Sequence, residues 1–155
     1  MSRRRRSYEA GHRPKVLIII DGSPESAVAI RYAGRRAART GAGLVMLTVV
    51  DPPEALPILG ISSVMEDEAV ADAQEKIEAA SSRLKETTGV EAQTEIRIGK
   101  KADEIRTLID ADEDIASLIL AAGTGKDGPG PLVASMATKG ASNLPVPIII
   151  VPASV

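Results

Sequence analysis

The sequence predicts one α/β domain: a five-stranded, mostly parallel sheet in the order 3-2-1-4-5 with helices on both faces. Three observations lead there. Short β-branched runs alternate with stretches of helical spacing along the chain, which calls for strand–helix–strand units. The leading runs are apolar at nearly every position, as strands buried on both faces are. A glycine-rich loop joins one run to a helix start, the layout that gathers backbone N–H groups at the carboxyl end of a strand. The domain spans residues 15–152, and residues 1–14 read as a basic, disordered tail.

Each element has its own signal. Lys15-Val16-Leu17-Ile18-Ile19-Ile20-Asp21 is the first strand. Ser23 then serves as N-cap with Pro24 at the first helical position. Ala27, Ile30, Ala33 and Ala37 make a narrow face of small residues for packing on the sheet, and Gly41 ends that helix. Leu44–Val50 is the second strand. After a loop rich in proline and apolar residues (52–61), a helix over about 63–88 sets Ala73, Ile77, Ala80 and Leu84 at helical spacing, and Gly89 stops it. Ala92–Ile98 alternates as the third strand. Ala102–Ala111 is a short helix with Ile105, Leu108 and Ile109 inward. Ile115–Ala122 and Val146–Val151 are strands four and five. Pro147 and Pro152 cannot donate to a ladder, which puts strand five at an edge. An open apolar edge invites a second chain, so a homodimer through Val146–Val151 is expected.

Composition removes several classes of function. Among 155 residues there is no cysteine, which excludes disulfides, thiolate chemistry and cysteine-bound zinc together. With two Tyr, no Phe and no Trp, the chain has no stacking platform for single-stranded nucleic acid. No transmembrane or signal-like run stands out, which places the expected protein in the cytoplasm, away from membranes. The net charge of −2 hides an asymmetry: residues 1–15 hold six basic residues and one acid, leaving 13 basic and 20 acidic residues, a net −7. An acidic body argues against binding a nucleic-acid backbone. The Arg3–Arg6 run has no amphipathic pattern and reads as a solvated tail. His12 is the single histidine and lies in that tail, so neither a Ser-His-Asp triad nor a histidine metal site is expected. Asp110–Asp114 begins like a calcium loop but lacks its glycine and its final glutamate, Ile115 and Ala121 standing there instead. It reads as a solvated helix end.

The segment Gly123-Thr124-Gly125-Lys126-Asp127-Gly128-Pro129-Gly130-Pro131 is the richest in chemistry. Glycines let a ligand approach the backbone and permit left-handed turns, and Lys126 adds a cation. A phosphate-bearing ligand, a nucleotide first, is the expected occupant. A Walker loop is excluded because Pro129 stands where its lysine must be. A dinucleotide fold is excluded because no acidic residue ends the following strand, Pro147–Val151. The loops after strands one and four line one crevice in the order 3-2-1-4-5, so Asp21-Gly22-Ser23 faces the glycine loop.

Taken together, the chain resembles the universal stress protein family over about Lys15 to Pro152. The resemblance rests on Ile20-Asp21-Gly22-Ser23, Leu47-Thr48-Val49-Val50-Asp51, Ile98-Gly99-Lys100, the glycine loop and Leu144–Val151, in that order and spacing. It implies an adenine nucleotide alpha hydrolase-like fold, a homodimer, and ATP, with Mg, as ligand. Carried over, Asp21 sits at the ribose or metal side and Val49 offers backbone to adenine. Gly123, Thr124, Gly125, Lys126 and Gly128 form the phosphate loop, and Ser135 supplies a hydroxyl. The loop departs from the family's pattern: one residue and not two separates Gly123 from Gly125, eight and not nine precede Ala134-Ser135, and Ala134 replaces a glycine. Pro129 and Pro131 further remove N–H donors. No general base or nucleophile is evident. The expected role is therefore regulation through a bound nucleotide and a protein partner. The alternatives are a dimeric interaction module without nucleotide and a slow nucleotide hydrolase or transferase.

Overall fold

The computed structural model describes residues 5–52, 61–123, 128, 130–136 and 144–153. Their order is β1 (Lys15–Ile19), α1 (Pro24–Thr40), β2 (Gly43–Val50), α2 (Ile61–Thr88), β3 (Ala92–Ile98), α3 (Lys101–Ala111), β4 (Ile115–Ala122), α4 (Pro131–Ser135) and β5 (Ile148–Pro152). The strands form one sheet ordered β3-β2-β1-β4-β5, and every pairing is parallel. This is the predicted architecture.

Successive strand residues point to opposite faces, so a strand covered on both sides must be apolar throughout. Leu17, Ile19, Val45 and Leu47 face α3 and α4, where Ile105, Leu108, Ile109, Val133 and Met136 complete one core. Val16, Ile18 and Met46 face the other way, onto Ala29 and Ala33 of α1 and Ile77 and Leu84 of α2. Leu17, Ile18, Met46 and Ile77 are fully enclosed, and truncating such a side chain to alanine costs about 2–5 kcal/mol.

The helix ends follow local chemistry. Ser23 Oγ accepts the Ser26 N–H at 3.1 Å, Pro24 opens α1, and Gly41 closes it with φ +76°. The buried face of α1 differs from the predicted one. Ser26, Ala29, Ala33 and Ala37 meet the sheet, while Ala27 is exposed and Ile30 half-buried. Alanines on several flanks fit more than one rotation of the helix, and Gly34 decides between them. It lets α2 approach so closely that a Cβ there would lie 2.3 Å from Leu84 Cδ1. Strand five begins at Ile148 and not Val146: the Pro147 carbonyl accepts the Leu118 N–H (3.0 Å) at the ladder's start, but Pro147 has no N–H with which to extend it. As expected, β5 is an edge strand.

The disordered-tail expectation is corrected over residues 5–14, which pack against the amino ends of β1 and β4. The Arg5 guanidinium donates to the carbonyls of Ile109 (2.7 Å), Asp112 (3.3 Å) and Ile115 (3.3 Å). The Arg6 N–H donates to Glu113 O at 3.0 Å, and His12 Nδ1 lies 2.6 Å from Asp114 Oδ1. Arg13 donates to Gly41 O at 2.6 Å. Two of the tail's arginines thus serve carbonyls at helix carboxyl ends, where a cation also suits the dipole. Arg3 and Arg4 lie outside the described residues.

Candidate functional site

β1 lies between β2 and β4, and the connections leaving β1 and β4 run to opposite sides of the sheet. Such a switch point opens a crevice beyond the carboxyl ends of the strands. The Ile20 N–H donates to Leu47 O at 2.8 Å and Thr48 Oγ1 donates to Ile20 O at 3.1 Å, so the end of β1 is fastened to β2. The chain then turns at Gly22, whose φ of +77° suits glycine. Asp21 Oδ1 accepts the Ser23 N–H at 2.9 Å, an Asx turn that leads into α1. Asp21 is exposed at the mouth of a cavity of about 180 Å³, whose walls include Thr48, Val49, Val50, Asp51, Asp72, Lys76 and Lys101. Val49 is buried at its floor.

Asp21 and Val49 line the same cavity. Gly123 directly follows β4, and a Cβ there would lie 3.0 Å from Gly128 O and 3.9 Å from Glu25 Oε1. Gly128 thus lies close against Gly123, which stands near the first turn of α1. Gly128 and Gly130 have φ of +76° and +108°, so the backbone needs glycine at both. Ser135 is the last residue of α4 and is exposed. Among the described residues, Gly123, Gly128 and Ser135 lie outside the wall of the 180 Å³ cavity. Thr124, Gly125 and Lys126 lie outside the described residues.

Several charged groups at the crevice escaped the sequence reading. Lys76 pairs with Asp72 at 2.9 Å one turn away on α2, and Lys101 starts α3 beside Val49 and Val50. Lys101 follows the end of β3, and the rule that ligands gather at strand carboxyl ends was the signal for it. Lys76 carried no such signal, since an exposed helical lysine resembles any other. Glu25 sets a carboxylate beside the glycine loop, which opposes a bare phosphate unless a cation lies between. Among the described residues no three His, Asp or Glu side chains converge on a metal site, and no helix there is long and apolar enough to cross a membrane.

The fold, a five-stranded parallel sheet with a crevice at its switch point, is an α/β architecture shared by a known family. The family model described as "Universal stress protein family" matches residues 12–152, and the chain belongs to that family. Among solved structures it is similar to the universal stress protein UspA from Lactobacillus plantarum (20% identity, 89% of this chain and 97% of that one, TM-score 0.73). It is similar also to a universal stress protein from Archaeoglobus fulgidus in complex with dAMP (19%, 88% and 95%, TM-score 0.60). A third is a universal stress protein family member from Arabidopsis thaliana with AMP bound (15%, 90% and 91%, TM-score 0.61). These likenesses carry the fold, which is the adenine nucleotide alpha hydrolase-like one. No curated protein matches the sequence significantly.

Proposed function

We propose that the chain binds an adenine nucleotide, ATP first, in the crevice between β1 and β4 and acts as a regulator. The observation that carries this is the placement of Asp21 and Val49 on the wall of one cavity at the carboxyl ends of β1 and β2, next to the switch point between β1 and β4. Structures of the same fold hold AMP and dAMP, which supports the class of ligand. In this reading Asp21 meets the ribose or a phosphate-bound Mg, and Val49 backbone meets adenine. Gly123, Thr124, Gly125, Lys126 and Gly128 receive the phosphates, and Ser135 adds a hydroxyl. A magnesium ion suits the donors: one carboxylate plus phosphates and water is its usual shell, and it would screen Glu25 from the phosphates. The chain's own contribution is to bind and orient. Homodimerisation through Val146–Val151 belongs to the same proposal, supported by the edge position of β5 and by Ile150, 42% exposed. So do a cytoplasmic location and a protein partner.

A second reading is a dimeric interaction module without nucleotide. It is favoured by Asp21 Oδ1, already engaged by the Ser23 N–H, and by Glu25 beside the loop. One experiment separates the two. The purified protein is denatured and the supernatant chromatographed for released nucleotide, and the apo form is titrated with Mg-ATP by calorimetry. Nucleotide in the supernatant, or saturable heat that Asp21→Ala weakens, supports the first. No release and no heat up to millimolar ATP establishes the second.

A further inference from the structure

A second cavity has no part in the nucleotide crevice. α1 and α2 lie side by side on one face of the sheet, and along their outer flanks runs a groove of about 580 Å³. Ala27, Ile30 and Leu84 are among the apolar residues of its floor, and Arg31, Arg35 and Arg83 stand around it. All three arginines are exposed. Among the described residues none of their guanidinium groups has a hydrogen-bond or ion-pair partner. Elsewhere Arg5 and Arg13 donate to carbonyl oxygens and Arg36 to the Tyr32 hydroxyl. Arg31 and Arg35 are also four residues apart on one helix, a like-charge spacing that disfavours the helix. A cluster of unpaired guanidinium groups beside an apolar floor, on a body of net negative charge, is complementary to an anion that carries an apolar part.

The dimensions narrow the choice. From Ala27 to Arg35 is eight steps along α1, about 12 Å of helix rise. The volume open along that length is about 580 Å³. It lies within the range of about 300–1,000 Å³ usual for small-molecule pockets. The geometry points to a binding site for an elongated amphipathic carboxylate. Its apolar chain lies along Ala27, Ile30 and Leu84, and its head accepts from Arg31, Arg35 and Arg83, whose forked donors match a carboxylate's two oxygens. The absence of Phe and Trp leaves the floor aliphatic, which suits an alkyl chain.

Decanoate below its micelle concentration is the probe, with amide chemical shifts of the labelled full chain and calorimetry as readouts. The site requires saturable binding with shifts concentrated in residues 27–35 and 79–88. Decanol, with the same chain and no charge, and acetate, with the head alone, must each bind at least about tenfold more weakly, the loss of one charge-assisted contact set. The variant R31Q/R35Q/R83Q must lose at least about tenfold in affinity for decanoate. These positions are exposed, so its melting curve stays close to wild type. Equal binding of decanoate by that variant, equal binding of decanol, or wild-type shifts that map elsewhere overturns the proposal.

Discussion

Replacing Arg5 by alanine tests whether the amino-terminal segment is part of the fold. Its guanidinium reaches three backbone carbonyls, but unequally: the bond to Ile109 O is 2.7 Å, while those to Asp112 O and Ile115 O are 3.3 Å. A hydrogen bond from a charged donor contributes about 1.5–3 kcal/mol and long ones far less. A cation at a helix carboxyl end adds about 0.3–1 kcal/mol. Against this, Arg5 Nε is buried with no partner, a cost that vanishes with the side chain. The balance is a loss of about 2 kcal/mol, which lowers the Tm of a chain this size by about 4–8 °C. Urea and thermal unfolding of Arg5→Ala against wild type measure it. Arg6→Ala is the control, since its pair with Glu9 is 4.0 Å apart and half exposed, and its effect stays within about 0.5 kcal/mol. Arg5→Lys falls between, because one ammonium cannot serve three divergent carbonyls. A loss below about 0.5 kcal/mol for Arg5→Ala, within the range of ordinary surface changes, would refute the helix-capping role.

Three other perturbations have definite outcomes. Gly34→Ala gains about 1 kcal/mol in helix propensity but forces a Cβ to 2.3 Å from Leu84 Cδ1, overpacking that costs about 1–3 kcal/mol. A net loss of about 1 kcal/mol is expected, and a double-mutant cycle with Leu84→Ala must show coupling; strict additivity would exclude the clash. Gly123→Val sets a side chain against Gly128 O, 3.0 Å from the new Cβ. It must weaken Mg-ATP, if bound, at least about tenfold by calorimetry while circular dichroism stays native. The Lys85–Glu91 pair, 2.8 Å apart, is read by pH. The Lys85 hydrogen bond, and then its charge, hold Glu91 below its ordinary 4.5, so this contribution is present above that value and fades as pH falls through the folded one. The same contacts raise Lys85 above 10.5, so its contribution is present below 10.5 and fades as pH rises through the folded value. The pair is exposed, so the Tm gap between wild type and Glu91→Gln is small at pH 7; it closes in strong acid and in high salt. A gap that widens in acid contradicts the assignment.

The sheet was legible because its strands are buried on both faces, which forces runs such as Val16–Ile20 and Leu118–Leu120 to be apolar without interruption. Ser23, Pro24 and Gly41 announced the ends of α1 through purely local chemistry. The orientation of α1 was not legible: alanine contributes little to a hydrophobic stripe, and its rotation follows from contact with Leu84, fifty residues away. Arg5 was misread for a related reason. Its acceptors are backbone carbonyls more than a hundred positions along the chain, and a carbonyl has no residue identity to read. At the crevice, Asp21 was singled out because strand ends at a switch point attract ligands and Val49 by the family resemblance, whereas Asp72, Lys76 and Glu25 sit on helices where a charged residue looks solvated from sequence alone.

The central position of β1 has a consequence for synthesis. It is the first strand to leave the ribosome, yet one of its edges is covered only by β4, Ile115–Ala122. Arg5 likewise waits for Ile109, 104 positions later. A nascent chain that has finished α3 therefore carries the largely apolar β1 with one edge of backbone N–H and C=O groups unpaired, a template for pairing with other chains. Protection comes late and nearly all at once, when β4 emerges and the amino terminus closes over it. A ribosome stalled just before β4 exposes more sticky surface than one stalled much earlier.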